Sequence, residues 1–147
     1  CCNGILFNHE SPLRSNEFVT KKIINHCKLI KKGKLKYLYL GNVNIYRDWG
    51  WAPEYVKAMY LMLKQKNLKD LVIGSGKRNS LKSFVYEVFR LLKIPRNRLK
   101  INTKKLIRKK DISSYRADPK LAKKILKWET KINFKQIIYK MVKDQLY

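Results

Sequence analysis

Short apolar runs alternate with longer segments of helical periodicity, and this alternation limits the fold more than any other feature of the chain. Asn3 to Phe7, Lys36 to Leu40, Leu71 to Ile73 and Leu99 to Ile101 read as strands. Between them lie helical stripes. Residues 16–31 carry Val19, Ile23, Cys27 and Ile30 at near-helical spacing, and Lys32-Gly33-Lys34 ends that helix, with Gly33 suited to a left-handed cap. Pro53 and Glu54 open a second helix, whose stripe is read as Val56, Met59, Tyr60 and Leu63. Ser80 caps a third helix with the stripe Leu81, Phe84, Val88 and Leu92. Asp118-Pro119 opens a fourth, carrying Leu121, Ala122 and Ile125. Asn133 caps the last, with Ile132 and Ile137 placed as a hydrophobic staple. Strands alternating with helices specify an α/β architecture.

The 147 residues suit one domain and can bury a real core. Three or four short strands make a thin sheet, however, and Ile5 to Phe7 stands at the chain start as a core strand stands in mid-domain. The expectation is therefore a partial domain over residues 1–147, with further strands upstream. No window approaches 18 uncharged apolar residues, so no transmembrane helix is expected. Three Cys are too few and too unevenly placed for a secreted disulfide scaffold.

The formal charge is +25, from 35 basic and 10 acidic residues. Such an excess invites a nucleic-acid reading, because Lys and Arg that neutralise phosphates release counterions. Its make-up argues the other way. Only 8 of the 35 are Arg, the residue whose planar fork reads phosphates and bases. Lys, Asn, Ile and Tyr are abundant together, as AT-rich codons produce. The dense runs Lys28 to Lys36 and Lys104 to Lys110 read first as solvated surface.

Several apparent motifs dissolve on inspection. Cys1, Cys2, His9, His26 and Cys27 show no metal-ligand spacing, and Cys27 falls on an apolar stripe. Gly74-Ser75-Gly76-Lys77 fits neither phosphate-loop pattern and reads as a turn. Tyr-x-x-x-Lys occurs at Tyr60/Lys64 and Tyr139/Lys143, about as often as chance supplies with 9 Tyr and 27 Lys. More informative are Asn8 to Arg14 and Tyr46 to Gly50, read as polar loops at strand ends. That is where α/β folds place ligands. Arg14 and Arg47 are each able to make paired hydrogen bonds to a phosphate, and equally to bond backbone carbonyls.

These stretches resemble GDP-mannose 4,6-dehydratases of the extended short-chain dehydrogenase/reductase family. The resemblance runs nearly end to end: Gly4 to Pro12 with its Asn-His-Glu-Ser-Pro, Phe18 to Ile23, Leu40-Gly41-Asn42, Arg47-Asp48-Trp49-Gly50, Ala52 to Val56, and the tail from Arg108 through Ala117-Asp118-Pro119 to Trp128. It implies the C-terminal part of an extended Rossmann-type fold without the dinucleotide-binding N-terminal part. It implies oxidation of the mannose at C4 with NADP, loss of water across C5 and C6, and return of the hydride at C6. His9 and Arg14 match NADP contacts. Asn8 matches a residue near the sugar-nucleotide diphosphate, Lys22, Arg47 and Arg108 match basic groups around GDP, and Asn42 lies near the nucleotide. The family's catalytic Thr, Glu and Tyr-x-x-x-Lys fall upstream of Cys1, so no catalytic residue is assigned here. A cytoplasmic enzyme forming dimers or tetramers is implied as well. Departures occur at Leu13, Lys109, Leu121 and Lys127. A related nucleotide-sugar dehydratase or epimerase, or a basic nucleic-acid-binding module, are the alternatives.

Overall fold

The computed structural model describes residues 1–101 and 112–146. The elements run β1 (Gly4–Leu6), β2 (Asn8–Glu10), α1 (Val19–Lys31), β3 (Leu38–Tyr39), β4 (Tyr46–Arg47), β5 (Trp49–Trp51), α2 (Ala52–Leu63), β6 (Leu71–Ile73), β7 (Asn79–Ser80), α3 (Leu81–Leu92), β8 (Leu99–Lys100), α4 (Lys120–Leu126) and α5 (Phe134–Val142). Four short ladders result. β1 pairs with β6, β2 with β5 and β3 with β8, all parallel, and β4 pairs antiparallel with β7. The α/β expectation is met.

The helix ends follow local chemistry. The Ser80 hydroxyl accepts from the Ser83 amide at the start of α3. Asn133 and Gln136 form a reciprocal capping box at α5, and Ile132 packs against the cluster that holds Ile137. Gly33 takes φ +73° just past α1, the left-handed conformation glycine adopts without a Cβ penalty.

Two apolar clusters carry the structure. The larger joins α1, α3 and α5 through Ile23, Ile24, Cys27, Phe84, Val88, Ile138 and Met141, with Trp49 stacked on Phe134. Cys27 is indeed a small core residue, and burial pushes its thiol up to about 12. The smaller joins α2, α4 and β6 through Tyr55, Ala58, Met62, Ile73, Ala122 and Trp128.

Two expectations are corrected. Asn8 to Ser15 is not wholly a loop: its first three residues form β2, polar in side chain but paired along its backbone to β5. Likewise Tyr46 to Gly50 contributes β4 and most of β5. The second correction concerns α2, whose buried residues are Tyr55, Ala58 and Met62. The expected stripe faces out, with Val56 60% and Leu63 76% exposed. The helix is apolar on both sides, so periodicity alone does not select the face that packs.

One buried carboxylate ties the ladders together. Asp48 sits between β4 and β5 and is fully buried. Its Oδ1 accepts from the Ser75 amide at 3.0 Å and the Ser75 hydroxyl at 2.5 Å, and its Oδ2 from the amides of Gly76 at 2.8 Å and Ala117 at 3.1 Å. The Gly74-Ser75-Gly76 turn is thus a small anion nest whose anion is internal. Gly74 is required there, because a Cβ would collide with the Ala117 side chain. Asp48→Asn sets an amide donor among backbone donors and is expected to lower stability by about 3 kcal/mol. Gly74→Ala is expected to lower it by about 2 kcal/mol through overpacking. Urea unfolding midpoints check both, and losses below about 1 kcal/mol contradict the assignment.

Candidate functional site

The β2–β5 pairing brings the two informative stretches side by side. Asn8 stands opposite Trp49, His9 opposite Gly50 and Glu10 opposite Trp51. Arg47 and Asp48 immediately precede β5. Gly50 has no side chain because the Tyr55 ring occupies that space. That ring lies 5.4 Å from the His9 imidazole. His9 Nδ1 is 2.9 Å from the Phe7 carbonyl, which only accepts, so Nδ1 is the donor of that hydrogen bond. The Tyr55 hydroxyl is buried without a partner, and burial raises its pKa.

Glu10 is 1% exposed. The Thr20 hydroxyl donates to it at 2.7 Å, and Arg14 Nε lies 3.7 Å from the same carboxylate. Burial raises the Glu10 pKa, against the smaller pull of Thr20 and Arg14. Arg14 Nη1 donates to the His9 carbonyl at 3.0 Å, and its guanidinium stacks 3.6 Å over the Phe18 ring. Its buried Nε makes no hydrogen bond among the described residues. Arg14 therefore closes its own loop onto β2.

Arg47 is engaged in a similar way. Its Nη1 donates to the carbonyls of Tyr46 at 2.8 Å and Ile112 at 2.7 Å, and its guanidinium lies 4.7 Å over the Tyr115 ring. The Tyr115 hydroxyl donates to Asn8 Oδ1 at 3.0 Å. Asn8 and Arg47 thus meet on one side chain. Lys22 is exposed on α1, and the exposed Asn42 accepts from the Asn44 amide at 2.8 Å through its side chain. Among the described residues, no hydrogen bond or ion pair ties Lys22 or Asn42 to the others. Arg108, Lys109 and Asp111 lie outside the described residues.

The arrangement is suited to holding an anion. Among the described residues, no hydrogen bond takes the Asn8 amide N–H pair or Arg47 Nε and Nη2. The nearby carboxylates of Glu10 and Asp48 are already bonded inside the fold. Of the Tyr-x-x-x-Lys pairs, Tyr60 and Lys64 make a surface packing contact, with Lys64 Nζ 4.5 Å over the exposed Tyr60 ring. Among the described residues no cluster of three or more His, Cys, Asp or Glu is able to hold a metal. Sequence reasoning did not single out Asp48, Tyr55 or Tyr115 as individual residues. Asp48 and Tyr55 lay inside stretches already marked, whereas nothing local to Tyr115 signals Asn8.

Solved structures that share this fold include epimerases and dehydratases of the Rossmann-type short-chain dehydrogenase/reductase class. RMD from Pseudomonas aeruginosa, solved with NADPH, superposes with a TM-score of 0.88 at 16% identity, over 99% of this chain and 48% of its own. The UDP-glucose 4-epimerase of Thermotoga maritima, solved with UDP-glucose, gives 0.80 at 17% identity over 97% of this chain and 45% of its own.

The family itself is set by sequence. A family model described as GDP-mannose 4,6 dehydratase matches residues 1–141, and the chain belongs to that family. The GDP-mannose 4,6 dehydratase of Dictyostelium discoideum is 38% identical over 96% of this chain and 44% of its own length. GDP-mannose 4,6 dehydratase 1 of Arabidopsis thaliana is 38% identical over 99% and 40%. The chain thus spans less than half the length of these curated relatives.

Glu10 generates a prediction with a defined sign. Its folded pKa lies above the usual 4.5, so its protonated form is the one the fold favours. Its contribution to stability is present below that value and is lost as pH rises through the raised one. Relative to Glu10→Gln, the wild type is therefore expected to gain stability as pH falls from 7 to 4. Urea midpoints of both proteins across that range check this, and the opposite trend contradicts it.

Proposed function

We propose that this chain is the nucleotide-sugar-binding part of a GDP-mannose 4,6-dehydratase. The family match along residues 1–141, together with the paired donors of Asn8 and Arg47, supports this reading. In it, Lys22, Arg47 and Arg108 balance the charge of the GDP moiety, Asn42 lies near the nucleotide, and Asn8 donates to the diphosphate.

The residues present fit one side of NADP. Arg14 has a buried Nε without a partner among the described residues, for which a phosphate oxygen is a suitable acceptor, and its Nη1 bonds the backbone carbonyl of His9 in β2. The amides of the turn at Ser75 and Gly76 are taken by Asp48, so that turn does not hold a second phosphate. NADP, when bound, supplies hydride acceptance at C4 and hydride return at C6. Asn8, Arg47 and Lys22 bind and orient the sugar nucleotide, and Tyr55 with Trp128 keeps water from the strand face beneath them.

The acid and base residues of the reaction are assigned to a companion portion supplying the dinucleotide loop, Thr, Glu and Tyr-x-x-x-Lys. The outward apolar face of α2 and the edge of β1 away from β6 provide a surface for it. The proposal extends to a cytoplasmic enzyme that is a dimer or tetramer when complete.

The purified 147-residue chain is expected to bind GDP and GDP-mannose without turning GDP-mannose over. Arg47→Ala is expected to weaken GDP binding about tenfold, the loss of a charge-assisted hydrogen bond. Adding the N-terminal half of a relative is expected to give turnover. Calorimetry and product analysis check these outcomes. Turnover by the chain alone, or DNA displacing GDP-mannose with a steep salt dependence, overturns the proposal.

A further inference from the structure

Tyr115 is the point at which the two candidate donors meet, although it lies 107 residues from Asn8 in sequence. Its hydroxyl donates to Asn8 Oδ1, its ring packs edge-on against Phe7 at 5.5 Å, and the Arg47 guanidinium covers the ring at 4.7 Å. The segment carrying it is clamped independently. The Tyr46 amide donates to the Ser113 carbonyl at 2.8 Å, Tyr46 bridges Ser114, and the Ala117 amide is held by Asp48. Tyr115 is thus fixed from both sides, and it is half-buried rather than free on the surface.

This geometry has a chemical consequence. An Asn amide presents either an acceptor or a donor pair, and its two orientations are otherwise close in energy. With the Tyr115 hydroxyl donating to Oδ1, the Asn8 amide stands in the orientation that leaves its Nδ2 protons toward a ligand. A ring under a guanidinium fixes its plane without using its N–H groups. Nη1 is occupied by two carbonyls, so the orientation of Nε and Nη2 is set as well. Donors fixed before a ligand arrives lose less freedom on binding.

We propose that Tyr115 is a positioning residue that presets Asn8 and Arg47 as one donor set for the diphosphate of the nucleotide sugar. The inference rests on the reading of Asn8 and Arg47 given under the proposed function. It assigns Tyr115 no contact with substrate. It requires the hydroxyl to act through Asn8 and the ring to act through Arg47.

Two variants of the 147-residue chain separate these roles. Tyr115→Phe keeps the ring and removes the hydroxyl, whereas Tyr115→Leu removes both. In nitrogen-15 labelled protein, Tyr115→Phe is expected to move the Asn8 side-chain amide resonances and leave the Arg47 Nε resonance in place. Tyr115→Leu is expected to move both. GDP binding, measured by calorimetry, is expected to weaken about threefold in the first variant and about tenfold in the second. Asn8→Ala is expected to cost less in the Tyr115→Phe background than in the wild type, because the two share one interaction. Unchanged urea midpoints for Tyr115→Phe show that the effect is not loss of fold. Asn8 resonances unmoved in Tyr115→Phe, or strictly additive effects, overturn the role of Tyr115 and leave the diphosphate reading standing if GDP still binds. Resonances that move as expected in a wild-type chain that takes no GDP overturn the diphosphate reading and preserve the coupling of the three side chains.

Discussion

The Asp48 carboxylate is the interaction on which the rest of this structure depends. A carboxylate is acceptor-only and offers about four lone-pair positions. Here the amides of Ser75, Gly76 and Ala117 and the Ser75 hydroxyl fill them. These donors come from two separate stretches of chain, the Ser75–Gly76 turn and Ala117, both ordered by the same group. An isolated buried charge is costly. Four hydrogen bonds make this one tolerable, and they give the position of the strands relative to the 112–117 segment a single value. Arg47 immediately precedes this anchor and Tyr115 lies two residues before Ala117, so the candidate site inherits its geometry from Asp48.

A second acid does similar work between helices. The Glu54 carboxylate accepts from the amides of Lys131 and Ile132, and its backbone carbonyl accepts from the Trp128 indole. The first turn of α2 thereby fixes the connection from α4 to α5. The same pattern bears on the charge of the molecule. Asp48 and Glu10 are buried, and Glu54 is turned inward onto backbone amides. Acids satisfied inside the fold compensate little at the surface, which leaves the basic excess there. That excess attracts phosphates in general. Selection among them needs groups of fixed orientation, and Asn8 and Arg47 are held in that way by Tyr115 and by backbone carbonyls.

Legibility in the sequence followed the range of the interaction. Ser80, Asn133, Gly33 and Pro53 act over three or four residues, and their roles were readable from the chain alone. The α2 face was not, because Tyr55, Ala58 and Met62 form a stripe as regular as Val56, Met59, Tyr60 and Leu63. Only the neighbours decide between them. β2 was hidden because Asn8, His9 and Glu10 lack the apolar signature of a strand, their polar groups being used by Tyr115, Phe7 and Thr20. Arg14 and Arg47 stood out as candidate ligand arginines. What they bond was left open between phosphate and carbonyl, and the fold shows carbonyls taking part of each guanidinium. Resemblance reached further than periodicity, since it carried Asn8, His9 and Arg47 as a set. It did not reach Tyr115, whose role exists only once residues far apart in sequence are adjacent.

In the proposed reading, the division between binding and chemistry has an energetic logic. Interactions made equally with substrate and transition state tighten binding without speeding the chemical step. Contacts to GDP would be of that kind, because the nucleotide does not react. Their use in that reading is to hold the hexose in place while groups elsewhere carry out the chemistry, and such orientation is worth several kcal/mol only if the holding groups are rigid. A donor set on freely rotating side chains gives affinity but poor placement. One anchored through Tyr115 to strands tied by Asp48 gives both. Groups proposed to recognise a nucleotide therefore need a stiff scaffold of their own, and the buried Asp48 ties together the strands that carry Asn8 and Arg47.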